Sequence, residues 1–214
     1  MSKKHTAELL FPNLSISPVQ LYLLTGITAI AYIVFSFFSD GFYQHDEAAH
    51  FINMRTFWYN PEIILGNWAK PGYKLIYVVP SLAGPFAVLS LNAIFSALTA
   101  FFTYKIAEKL SFKMPLVAFV LMASQPLWIQ LSFRNYSEVP TAFLLSVAVW
   151  FFYRNEKNDW WIVGLILSYL TLLRQEFYVV SVVYGLFLLF QKKWKFIFVL
   201  PVFPVLIHIW GWIA

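Results

Sequence analysis

The chain of 214 residues contains no cysteine, which removes disulfide frameworks and thiolate chemistry from consideration. Charge is scarce as well: Asp, Glu, Lys and Arg make up 12% of the residues, about half of the ~25% found in soluble domains. Glycine and proline, 8 and 11 residues, are scattered rather than clustered, so the chain is not of low complexity. There is no internal repeat, no glycine-rich phosphate loop and no separate basic surface for nucleic acid. What is there is apolar: 60% of residues are hydrophobic, 21% are aromatic, and the mean hydropathy is +0.68. Those proportions describe a multi-pass membrane protein.

Apolar runs at 19–38, 85–104, 115–133, 139–153, 160–173, 177–190 and 196–212 predict an all-α bundle of about seven spans. A crossing needs roughly 20 residues, so the fourth, fifth and sixth runs are short and require polar flanks or a water-filled cavity. Segment 73–83 is too short to cross and contains Pro80, which suits a re-entrant or interfacial piece. The first run exceeds the ~7–15 residues of a cleavable leader and reads as a retained signal anchor. The organisation expected is a cytoplasmic tail over 1–18 and a membrane module over 19–214, with an exoplasmic loop at 39–84. Alternating the spans from a cytoplasmic N-terminus leaves ten of the 15 basic residues inside, as the positive-inside rule requires. Outside fall Arg55, Lys70, Lys74, Arg134 and Arg174.

The outer loop opens on the turn Asp40-Gly41 and then places His45-Asp46-Glu47-Ala48 just beyond the first span. Residues 47–59 lack Pro and Gly and are aromatic, which suits an interfacial helix with Trp58 and Tyr59 at headgroup depth. On that helix Asp46 and Glu47 point about 100° apart, so one carboxylate is expected to act while the other orients or binds. Both also suit the helix start as caps. Other outward charges cluster at span ends: Lys70 before Pro71-Gly72, Arg134 and Glu138 in Arg134-Asn135-Tyr136-Ser137-Glu138-Val139-Pro140, and Arg174 with Glu176. Snorkelling accounts for each singly; together they form a ring around one cavity. His45 and His50 are five apart, about 140° round a helix, so they do not make the H-E-x-x-H zinc motif. Asp46 and His50, four apart, share a face.

The order Asp46-Glu47, Lys70-Pro71, Arg134 to Pro140 and Leu173-Arg174-Gln175-Glu176 resembles the C-type (GT-C) glycosyltransferase superfamily. It is most similar to the protein mannosyltransferase and aminoarabinose transferase branch, over roughly 39–190. Leu173 and Gln175 stand where that branch has Thr and Pro, and Pro71-Gly72 replaces its more usual Pro-Pro. The resemblance implies a polyprenyl-phosphate sugar as donor and a lipid, glycan or protein hydroxyl as acceptor. Asp46 would be the general base, and Glu47 would hold the sugar or acceptor or help set the pKa of that base. Lys70, with Arg134 and Arg174, would bind the leaving phosphate, supported by His50, Glu138 and Glu176. No cofactor is required; a divalent metal is left open, with Glu47 and His50 as its candidate ligands. The chain ends at Ala214 where relatives of this kind are commonly longer, so a partner subunit supplying a C-terminal part is among the expectations. The competing readings are a non-catalytic lipid-phosphate binding or transport subunit and an ion-coupled transporter. The transporter would need ionisable groups at mid-membrane, where only His208 is expected.

Overall fold

In a computed structural model of the chain, residues 16–39, 42, 44–66 and 70–213 are described. They form helices without a strand: α1 (Pro18–Phe37), α2 (His45–Thr56), α3 (Pro71–Leu82), α4 (Pro85–Lys109), α5 (Pro115–Ser124), α6 (Pro126–Ser132), α7 (Glu138–Arg154), α8 (Asp159–Leu173), α9 (Phe177–Phe190) and α10 (Val202–Ile213). Short 3-10 turns occupy Pro61–Leu65 and Trp194–Val199. The expected turn at Asp40-Gly41 and nearly all of the N-terminal tail lie outside the described residues.

Proline begins five of these helices, at Pro18, Pro71, Pro85, Pro115 and Pro126. At the first helical position the missing N–H has no partner to lose and the fixed φ is already helical. Ser17 closes α1 with a capping box: its Oγ accepts from the Gln20 N–H at 3.3 Å, and Gln20 Oε1 accepts from the Ser17 N–H at 2.9 Å. Gly84, between α3 and α4, has φ +101°, which glycine adopts without Cβ strain.

Helix α4 is one hub of the bundle, packed by α1, α5 and α7; α8 is the other, packed by α7, α3, α9 and α10. Glycine permits the closest of these approaches. A Cβ on Gly72 would lie 2.7 Å from Leu172 Cβ and 2.8 Å from Leu173 Cδ1, and the Tyr169 hydroxyl donates to the Gly72 carbonyl at 2.7 Å. Buried Asn92 is a polar centre inside α4. Its Oδ1 accepts from the Tyr77 hydroxyl at 2.6 Å, while its Nδ2 donates to the carbonyls of Leu131 and Arg134 at 3.1 and 2.7 Å. It thereby ties α4 to the backbone at and just beyond the end of α6.

By length and composition, three segments can cross a membrane: Pro18–Phe37, Pro85–Lys109 and Trp194–Ile213. A fourth arises if Pro115–Ser124 and Pro126–Ser132, bent by 63°, count as one broken span. This is fewer than the seven expected from the apolar runs. Helices α7, α8 and α9 have 17, 15 and 14 residues, or about 21–26 Å at ~1.5 Å per residue, against a hydrocarbon core of about 30 Å. At the bend between α5 and α6 the Tyr32 hydroxyl of α1 donates to the Ala123 carbonyl at 2.6 Å.

Candidate functional site

The charged residues that the sequence scatters over more than a hundred positions meet where α2, the starts of α3 and α7, and the α8–α9 junction converge. Glu47 organises the first layer. As the third residue of α2 it accepts the Gln44 N–H on Oε2 at 3.1 Å, so the expected capping role is real for this carboxylate. It also takes Arg134 in a two-pronged pair, Nε to Oε1 at 2.9 Å and Nη2 to Oε2 at 2.6 Å. The Asn135 N–H donates to Oε1 at 2.9 Å, and Asn135 Nδ2 donates to the Glu47 carbonyl at 2.8 Å. The Glu47 side chain is wholly buried. Burial alone would raise its carboxyl, but the Arg134 hydrogen bonds and the Asn135 and Gln44 amides hold it below the usual carboxylate range.

This geometry changes two expected roles. Glu47 is locked into a buried pair rather than turned toward a substrate, and Arg134 points at Glu47 rather than at a phosphate. Both position the site: they fasten α2 to the 134–135 segment. Among the described residues no group of three His, Asp or Glu side chains comes together as a metal site.

Asp46, the neighbouring carboxylate, is exposed and makes no hydrogen bond or ion pair with any described residue. One turn on, the half-buried His50 ring meets the Tyr73 ring edge-on at 5.3 Å. Burial, followed by the positive charges of Lys74 and Lys70, holds His50 down to about 4, against smaller opposing effects of Asp46 and Glu138. His50 is therefore neutral at pH 7, and these five groups share one electrostatic neighbourhood. Lys70 caps the start of α3 and its Nζ donates to Ser137 Oγ at 2.8 Å. Arg174, extended at the end of α8, pairs through Nη1 with Glu138 Oε1 at 2.6 Å and through Nη2 with Glu176 Oε1 at 3.0 Å. Of the expected ring, Lys70, Arg174 and Glu176 line one cavity, Arg174 being neutralised on two sides, whereas Arg134 pairs with Glu47.

Lys70, Pro71, Arg174, Glu176 and His208 line a cavity of about 590 Å³ together with apolar residues that include Leu172 and Ile207; Asp46, His50, Lys74 and Glu138 are not among its lining residues. His208, the one ionisable residue expected at mid-membrane, is among these lining residues. Beside the ring, Glu138 Oε2 and Thr141 Oγ1 are buried with no hydrogen-bond partner, which leaves an acceptor and a hydroxyl for a polar occupant.

Several positioning residues escaped the sequence reading. Tyr73 donates to Asn135 Oδ1 at 2.5 Å, Tyr136 donates to Gln44 Oε1 at 2.5 Å, and Asn92 holds the 131–134 backbone. Asn92 alone carried a signal, as an amide inside an apolar span where polar groups are costly. Searches against protein-family models, curated proteins and solved structures return no match.

Proposed function

We propose that the chain is a membrane-embedded transferase that moves a sugar from a polyprenyl phosphate to an acceptor hydroxyl, with Asp46 as general base. The observation that supports this reading is the pairing of opposites around one space. A carboxylate without a partner acts on the same His50 ring as the lysines at the head of α3, and that helix start contributes Lys70 to the wall of a cavity lined by both charged and apolar residues. A phosphate on a long apolar tail has the same mixed character. Asp46 takes the hydroxyl proton as the acceptor oxygen bonds to the anomeric carbon; the carbon–phosphate oxygen bond breaks, and the lipid phosphate leaves with its electron pair. Direct displacement inverts the anomeric configuration. Lysine charge stabilises the departing phosphate in a site of low dielectric.

In this reading the short helices α7, α8 and α9 complete about seven crossings by drawing on their polar flanks. The excess of lysine at the opposite end puts the N-terminus in the cytoplasm and the Asp46 face outside.

The test is to incubate the purified chain in lipid with a panel of polyprenyl-phosphate sugars and short hydroxyl acceptors, measuring free lipid phosphate. Release that disappears in Asp46→Asn, with donor binding retained, supports transfer. Binding without release from any donor overturns it in favour of a lipid-phosphate binding subunit.

A further inference from the structure

Lys74 is the one charged group here whose environment lacks an explanation. It is 2% exposed, and its side chain forms no hydrogen bond or ion pair with any described residue. The nearby arginines are matched, Arg134 by Glu47 and Arg174 by Glu138 and Glu176. Lys70, half-buried, hydrogen-bonds only the neutral hydroxyl of Ser137, with the Glu176 carboxylate feeling its charge across the cavity. An ammonium removed from water without a counter-charge is expensive, and proteins seldom keep one unless something arrives to match it.

The position of Lys74 says what could arrive. It follows Lys70 by four residues, so the two share a face of α3 one turn apart. Both lie in the first turn or cap of that helix, whose leading N–H groups have no partner within the helix. The two lysines act together on His50. Asp46 and Glu138 act on the same ring with the opposite sign, and Lys70 also lines the cavity. Two ammonium groups set a turn apart match an anion with several oxygens.

We propose that Lys74 is the buried anchor for the phosphate of a prenyl-phosphate ligand, with Lys70 meeting the same phosphate at the cavity mouth. This rests on the lipid-phosphate reading above and adds to it which cations do the holding: the two lysines, not the carboxylate-bound arginines. It also separates binding from stability. Lys74 is a burden to the empty protein and an asset to the occupied one.

The experiment uses the full chain in lipid nanodiscs, with thermal unfolding and affinity measured for farnesyl phosphate, inorganic phosphate and farnesol. Lys74→Met is expected to unfold at or above the wild-type temperature when empty, and to bind farnesyl phosphate at least tenfold more weakly. Lys70→Met should lose less affinity. A Lys74→Met protein that is less stable when empty, yet binds within twofold of wild type, overturns the proposal and makes Lys74 a structural residue. Wild type that responds to no prenyl phosphate overturns the lipid-phosphate reading itself. Equal response to inorganic phosphate shows an anion site indifferent to the lipid, and also overturns the proposal. Should Lys74→Met fail to fold, reductive methylation of wild type decides. Farnesyl phosphate, but not farnesol, should protect Lys74; a Lys74 left unprotected, or unreactive even in the empty protein, overturns the assignment.

Discussion

The two ends of the bundle use similar residues in different ways. At the end holding the α7–α8 turn, charges are answered by close sequence neighbours. Arg154 pairs with Asp159 five residues on, at 2.5 and 3.0 Å, while Asp159 also caps the Glu156 N–H at 2.7 Å. Arg154 lies over the rings of Trp150 and Phe151, and Lys105 meets Glu108 within one turn. At the opposite end the partners are remote: Glu47 with Arg134 and Asn135, 87 and 88 positions away, Lys70 with Ser137, 67 away, and Arg174 with Glu138, 36 away. Pairs of the first kind close a turn and leave nothing over. Those of the second kind draw distant segments together and leave the Asp46 and Lys74 side chains without a partner among the described residues. The difference distinguishes a finished surface from a site.

Breaking the comparison at its most sensitive point means Asp46→Asn. Turnover should fall by roughly 10²–10⁴-fold with the folded state intact, measured as lipid-phosphate release alongside thermal unfolding. Arg134→Met attacks the long-range framework instead and strands a buried carboxylate. Such a change costs about 3–5 kcal/mol, to be read from denaturant or thermal unfolding. Arg154→Gln, the counterpart at the other end, should produce a much smaller shift in the same assay. Comparable losses from the two arginines would erase the distinction.

Acid offers a third test. The folded-state value of His50 is depressed to about 4 from an ordinary 6.5, so between these values the unfolded chain takes up a proton that the folded chain refuses. Stability therefore declines as pH drops from about 6.5 to 4, by at most about 3 kcal/mol. His50→Gln should flatten that decline in a pH series of melting temperatures. Glu47 contributes the opposite case: its depressed value gives stability above the ordinary carboxylate range, lost only as pH falls below it. The smallest of the site-end effects is Gly72→Ala, where the new methyl meets Leu172 and Leu173. Overpacking of this kind costs about 1–3 kcal/mol and should lower the melting temperature without removing Asp46 chemistry.

Helix boundaries were legible in the sequence because they depend on near neighbours: proline at first positions, Ser17 with Gln20, and charges that end apolar runs. The observed helices fall within a few residues of the apolar runs for that reason. The number of crossings was not, since run length does not reveal a bend such as that between α5 and α6. Asp46 and Glu47 were rightly read as diverging, but which of them is buried depends on Arg134 and Asn135, far along the chain. Likewise, Lys74 differs from Lys70 only through what packs around it, and no local pattern records that.

The 63° elbow at Gln125 has a consequence for how such a chain can vary. Because Pro126 starts a fresh seven-residue helix, the polar strip that follows it is delivered by a short jointed arm rather than by a full-length rod. Phenol capping at Ala123 keeps the joint from exposing bare backbone to hydrocarbon. The arm leads directly into Asn135, whose N–H holds the Glu47 carboxylate, so the register of that contact is set by the seven residues after the joint and not by the length of the helix before it.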